Sequence, residues 1–163
     1  MKVFWVTTET KFRVAIVPRP RGGEWLEDDM HALRREGVDI LISLLTTEEQ
    51  EELGLSDEAD ACARAGIQYF SFAIPDRQVP HSVGELQQVV RSLRQSLRSG
   101  KSVGAHCRAG IGRSSLLIAA ILCSEGISAE EAFAHISEAR GLQVPDTLEQ
   151  MIWMENFASL LAQ

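Results

Sequence analysis

Read along the chain, apolar and polar positions alternate between two periods, and the switches mark strands and helices in turn. Residues 3–6 and 12–17 read as two short strands. Residues 25–35 read as a helix, with Trp25, Leu26, Met30 and Leu33 near one face and a stop at Gly37. A strongly apolar strand covers 38–45, and a helix opens after it with Thr46 or Thr47 as N-cap and acids in its first turn. A helix over 57–65 ends at Gly66, and 67–74 is a strand followed by a loop over 75–82 that holds Pro75 and Pro80. Val83, Leu86, Val89, Val90, Leu93 and Leu97 repeat at helical spacing over 83–98. Arg91, Arg94 and Arg98 face elsewhere, as a solvated surface or, secondarily, a docking surface for an acidic partner. A strand over 101–106 and a helix over 116–123 follow. Ser128 to Glu131 reads as a capping box, and a last helix carrying Leu148, Ile152 and Phe157 starts after Pro145-Asp146.

Strands that alternate with helices predict an α/β fold in three layers, a central, mostly parallel sheet flanked by helices, with residues 1–163 forming one domain. The strands over 38–45 and 101–106 are expected at its centre. Ligands of such sheets bind at the carboxyl ends of the strands. Positions 75 and 107 each follow a strand directly, so their two loops are expected to meet on one edge.

Composition narrows this picture. Hydrophobic residues make up 45% of 163, enough for a core. No run of 18 apolar residues offers a membrane span, and residues 1–9 are too short and polar for a signal-peptide core. A net charge of −7 argues against nucleic-acid or membrane-surface binding. Cys62, Cys107 and Cys123 form neither a disulfide framework nor a metal pair, and His31, His81 and His135 lack ligand spacing. The expectation is a cytoplasmic monomer without metal or cofactor. Cys123 reads as core. Cys62 is open to a lesser reading as a disulfide partner protecting Cys107 under oxidation.

The stretch HCRAGIGRSS, residues 106–115, lies between a strand and a helix, where a Gly-rich turn makes an anion site. Cys107 precedes the loop amides and the helix N-terminus, and both favour a thiolate. Gly110 and Gly112 permit the backbone angles that turn N–H groups inward. Arg113 can curl back and offer a planar fork to two oxygens of a phosphate. Displacing an alkoxide or phenoxide needs a proton donor, and Asp76, bracketed by Pro75 and Pro80, fits that role. Ser114 can donate a hydrogen bond to the sulfur. His106 tempts as a base, but successive strand residues point to opposite faces, so a hydrogen bond that orders the loop is the better reading.

His106-Cys107-Arg108-Ala109-Gly110-Ile111-Gly112-Arg113-Ser114 resembles the HCxxGxxR[ST] signature of cysteine-based protein tyrosine phosphatases. Pro75-Asp76-Arg77-Gln78-Val79-Pro80 is similar to their general-acid loop, WPDxxxP, with Ile74 in place of the tryptophan. The separation of Asp76 and Cys107 matches the compact dual-specificity branch, and residues 140–150 are similar to the stretch before its last helix. The resemblance implies that Cys107 attacks phosphorus to give a phosphocysteine and that Asp76 protonates the leaving group and then activates water. It implies that Arg113 and the loop Arg108, Ala109, Gly110, Ile111 and Gly112 hold the phosphoryl oxygens. Gln150 is left between a place near the pocket and one on the helix surface. The substrate implied is a phosphorylated protein. The rival readings are the same chemistry on a phosphoinositide or an RNA 5′ phosphate, and a phosphate-binding module without turnover. A rhodanese-type sulfur transferase has no use for Asp76.

Overall fold

The structure, a computed structural model, describes residues 1–162. Its five-stranded sheet holds β1 (Phe4–Val6), β2 (Arg13–Ile16), β3 (Ile40–Ser43), β4 (Gln68–Ser71) and β5 (Ser102–His106) in the order β1-β2-β5-β3-β4. Only β1 runs antiparallel to its neighbour. The carboxyl ends of β2, β5, β3 and β4 therefore open on one edge, and residues 17, 107, 44 and 72 all leave the sheet there.

Alternation along the strands assigns each side chain to one of two cores. Val14, Ile16, Ile40, Ile42, Val103 and Ala105 point to a layer of four helices, α4 (Val83–Arg98), α5 (Arg113–Cys123), α6 (Ala129–Arg140) and α7 (Leu148–Leu161). Ala15, Val17 and Leu41 point to a thinner layer built on α1 (Leu26–Glu36) and α3 (Glu58–Ala65). The short helix α2 (Thr47–Glu52) follows β3 at the open edge. All eleven residues of α5 are buried, and from Leu116 on the helix is apolar all round.

The strands are shorter than the apolar runs suggest. Chain pairing nonetheless continues past their ends: Val17 N–H donates to Ala105 O, Leu44 N–H to His106 O and Ile74 N–H to Leu44 O. β4 is an edge strand with mostly exposed residues. Trp25 departs from the expected core face: it ends a 3-10 turn, is 48% exposed and lies under the Arg21 guanidinium. Ser128 caps α6 through the Glu131 amide, without the reciprocal bond of a capping box; full boxes form at Thr46/Glu49 and Thr147/Gln150. Arg94 is not simply solvated, because it pairs with Glu125 at 2.7 Å. Among the described residues no helix is long and apolar enough to cross a membrane.

Candidate active site

At the end of β5 the pleat separates two neighbours. Cys107 belongs to the core beneath α5, while His106 points into the α3 layer and shares a 2.5 Å hydrogen bond with Glu58 Oε1. Both partners of that bond are fully buried, and His106 Nδ1 lies 3.5 Å from Cys107 O. The imidazole therefore ties the start of the loop to α3 and stands away from the sulfur's face.

The helix begins earlier than its apolar run suggests, at Arg113, so Arg113 and Ser114 lie in its first turn. Ser114 Oγ is 3.3 Å from Cys107 Sγ. Between Cys107 and Arg113 the chain is shaped from outside by Arg140, whose Nε and Nη2 donate to Gly110 O at 3.1 Å and Ala109 O at 3.0 Å. In a planar trans peptide the following N–H points opposite to the carbonyl, so this grip turns the Gly110 and Ile111 amides the other way. Among the described residues, the main-chain N–H groups of Arg108 through Gly112 donate to no protein acceptor. Gly110 takes φ +69°, open to glycine, and a Cβ on Gly112 would come within 2.8 Å of Gln150 Nε2.

Arg113 is 2% exposed and almost fully bonded. Nη1 donates to Glu49 Oε1 at 2.6 Å and to Ile74 O at 2.8 Å; Nη2 donates to Glu49 Oε2 at 2.9 Å and to Asp76 Oδ1 at 3.0 Å. Burial works against its charge, yet the Glu49 hydrogen bonds and the negative field of Cys107, Glu49 and Asp76 hold its pKa above the ordinary value. Burial likewise raises Glu49, but hydrogen bonds from Arg113, the Thr46 amide and Arg108 outweigh it and bring the carboxyl down to about 2. Arg108 reaches Glu49 with Nε at 3.2 Å and Glu52 with Nη2 at 3.1 Å.

The loop carrying Asp76 is anchored on its far side by Asp146 and Gln150. Arg77, at φ +62°, pairs with Asp146 at 3.1 Å, and Gln150 Nε2 donates to Gln78 O at 3.0 Å. Gln150 Oε1 accepts from the Asp146 and Thr147 amides. Gln150 is thus fully buried against both loops, which removes the helix-surface alternative. Ile74, in the tryptophan's place, is buried and lends its carbonyl to Arg113. The Asp76 side chain is 56% exposed at the rim.

All three cysteines are free. Cys62 packs with Met30 in the other core from Cys107, so the disulfide reading finds no juxtaposition here. Burial pushes the Cys62 and Cys123 thiols up to about 12, with Glu58 adding to the effect at Cys62. Among the described residues no cluster of His, Cys, Asp and Glu is arranged to hold a metal ion. The sequence reading brought Cys107, Arg113, Asp76 and Ser114 together but missed Glu49, Glu58 and Arg140. Glu49 was visible only as an acid in the first turn of a helix, Arg140 only as the first residue of the 140–150 stretch, and nothing local marks Glu58.

Residues 16–127 match the family model described as Tc-R-P, polymorphic toxin system, DSP-PTPase phosphatase. Cyclin-dependent kinase inhibitor 3 of Rattus norvegicus is 25% identical over 139 residues, 84% of this chain; the chain spans 65% of that relative's length. The structure of kinase associated phosphatase with its catalytic-site cysteine replaced by serine superposes with a TM-score of 0.83 at 21% identity, covering 92% of this chain and 88% of the other. PTPMT1 in complex with PI(5)P gives 0.78 at 22% identity, covering 97% of each. These two share the fold. The match over residues 16–127 takes in both the Asp76 loop and the Cys107 loop, and the chain belongs to the DSP-PTPase phosphatase family, a compact dual-specificity-like branch of the cysteine-based protein tyrosine phosphatases.

Proposed function

We propose that this chain hydrolyses phosphomonoesters of proteins through Cys107. One observation carries the reading: five consecutive amides, Arg108 to Gly112, have no acceptor among the described residues and lie between a buried cysteine and a buried arginine. Unpaired amides in a protein are costly unless an acceptor is supplied, and three phosphoryl oxygens supply it.

The chemistry follows. Sγ of Cys107 attacks phosphorus, an S–P bond forms and the P–O bond to the leaving group breaks. The departing oxygen takes the proton of Asp76. A water then attacks phosphorus and gives a proton to Asp76 while the S–P bond breaks, and Ser114 donates a hydrogen bond to the departing sulfur. Arg113 has two hydrogens suited to a side-on phosphate grip, Nε–H and the Nη2 hydrogen that Asp76 holds. A phosphate seated there displaces Asp76 from Nη2, so substrate binding and release of the acid toward the leaving group are one event. Glu49 and the Ile74 carbonyl keep the guanidinium in place throughout.

A protein substrate is favoured over a phosphoinositide because the loop holds no lysine and its one outer arginine, Arg108, is neutralised by Glu49 and Glu52. The free, mostly buried thiols suit a reducing compartment. The test is hydrolysis of p-nitrophenyl phosphate in chelator, with and without vanadate. Metal-independent turnover that vanadate blocks and Cys107→Ser abolishes supports the reading; turnover retained by Cys107→Ser overturns it.

A further inference from the structure

Beside the phosphate loop, on the same sheet edge, lies a groove of about 550 Å³ between residues 1–2, the loop after β2 and α1. Its walls carry Lys2, Arg19, Arg21 and Arg35 against two acids, Asp28 and Asp29. Asp29 is already consumed: it accepts the Arg21 amide at 2.7 Å and the Arg21 guanidinium at 2.7 Å. Lys2, Arg19 and Arg35 form no ion pair among the described residues. In a chain of net charge −7, three cations without an ion pair along one groove stand against the trend of the surface.

The loop that presents them is held in place. Arg19 sits between Pro18 and the buried Pro20, both of fixed φ. Gly23 N–H donates to Gly54 O, and Gly22 lies so close to the Leu53 and Gly54 carbonyls that any Cβ would clash. The loop is thereby pinned to the end of α2, the helix whose Glu49 and Glu52 hold the two arginines of the phosphate loop.

The loop that carries Arg19 leaves the sheet beside the reaction centre: β2 pairs with β5, Ile16 opposite Ala105, and Val17 N–H donates to Ala105 O, two residues before Cys107. Lys2 Nζ and the Arg140 guanidinium both lie over the Phe4 ring, at 5.4 Å and 4.6 Å, and Arg140 grips the phosphate loop directly. Ile16, on the four-helix face of β2, has Cγ2 3.5 Å from the position of a Cβ on Gly110. Arg19 follows Ile16 by three residues, a reach of about 10 Å along extended chain. Three or four residues of extended substrate peptide reach about as far, roughly 10–13 Å.

We propose that this groove seats an anionic side chain of the substrate, an Asp, a Glu or a second phosphorylated residue. The preferred substrate is then a phosphopeptide with an anion about three or four positions from the reacting residue. This rests on the phosphatase reading and names the substrate class it acts on. The acidic body of the protein repels such a peptide at long range. The groove supplies the local attraction that lets it bind, and Asp28 on the rim limits that attraction without cancelling it.

The test compares phosphotyrosine peptides carrying Asp at the third and fourth positions, on either side of the tyrosine, with their Ala counterparts. The enzymes are wild type and the double variant Arg19→Glu/Arg35→Glu. Exposed charge contacts are individually worth less than about a factor of five, so two or three together give a preference of about tenfold in kcat/KM at low salt. That preference should shrink in about 0.5 M salt, where the Debye length falls well below its value near 10 Å at 0.1 M. In the double variant it should fall to one or below, while p-nitrophenyl phosphate, which has no second anion, is turned over as by wild type. Fluorescence anisotropy of the same peptides on Cys107→Ser gives the preference without turnover, so it decides the groove even where hydrolysis fails and the phosphatase reading falls. No preference for Asp on either side, or a preference the double variant keeps, overturns the proposal. So does a charge-reversal loss confined to phosphoinositide vesicles, which would assign the groove to lipid.

Discussion

Two arginines leave the same loop and meet the same acid, yet their surroundings differ. Arg108 is on the solvent side, 38% exposed, and shares itself between Glu49 and Glu52. Arg113 is 2% exposed and held by Glu49, the Ile74 carbonyl and Asp76. Exposed ion pairs compete with water and salt and fix little. Buried ones leave a charge stranded when one partner is removed, at about 3–5 kcal/mol. Glu49 therefore serves two arginines with unequal effect, and only the guanidinium of Arg113 is fixed as firmly as the proposed phosphate grip requires.

The largest expected effect comes from replacing the fork. Arg113→Lys should reduce kcat/KM at least about 100-fold, because a point charge cannot span Glu49, the Ile74 carbonyl and two phosphoryl oxygens. Steady-state kinetics with a folding check by thermal melt decides it, and a loss under threefold would mean the loop does not grip phosphate as described.

Asp76→Ala ranks next and depends on the leaving group. A phenoxide of pKa about 10 needs protonation, so phosphotyrosine peptide should lose about 30-fold or more, within the range of general-acid catalysis. A highly activated aryl phosphate should lose far less. Equal losses on both substrates would reduce Asp76 to a residue that shapes its loop, and Asp146, now paired with Arg77, would be the next to replace.

Glu49→Gln should cost about tenfold in rate, since a neutral amide can accept only one of the two Arg113 bonds. The same variant has a pH signature. The folded carboxyl titrates near 2, below the ordinary value of 4.5. Its stabilisation is therefore fully present above about 4.5 and is lost as pH falls from there through 2. Urea melts should show wild type losing stability over that window more steeply than Glu49→Gln; identical slopes would detach Glu49 from the pair. Arg108→Ala is the smallest change, under about threefold on a simple aryl phosphate, as befits a solvent-screened side chain. A loss as large as that of Arg113→Lys would break the contrast between the two.

Much of the fold was legible because its signals are local. The apolar runs and helical spacings placed every strand and helix, and strand alternation alone put Cys107 and His106 on opposite faces. The glycines and arginines of residues 106–115 marked the candidate anion loop in a single stretch. What was hidden depends on distance in sequence. Glu49 reads as an ordinary capping residue until β3 brings it beside β5, and Glu58 meets His106 only because α3 covers that face of the sheet. Arg140 and Gln150 come from the last two helices, whose seats are set by tertiary packing. Trp25 fell outside the core because a 3-10 turn, which periodicity cannot anticipate, rotates it into solvent.

The central claim is that Cys107 forms a covalent bond to phosphorus, and rapid acid quench during turnover of an aryl phosphate tests it most directly. Mass spectrometry of the digested protein should find one phosphoryl group on the peptide containing Cys107, absent from Cys107→Ser and more abundant in Asp76→Ala wherever water attack limits turnover. Turnover with no phosphorylated Cys107 at any quench time, or the phosphoryl group on another residue, would contradict the account.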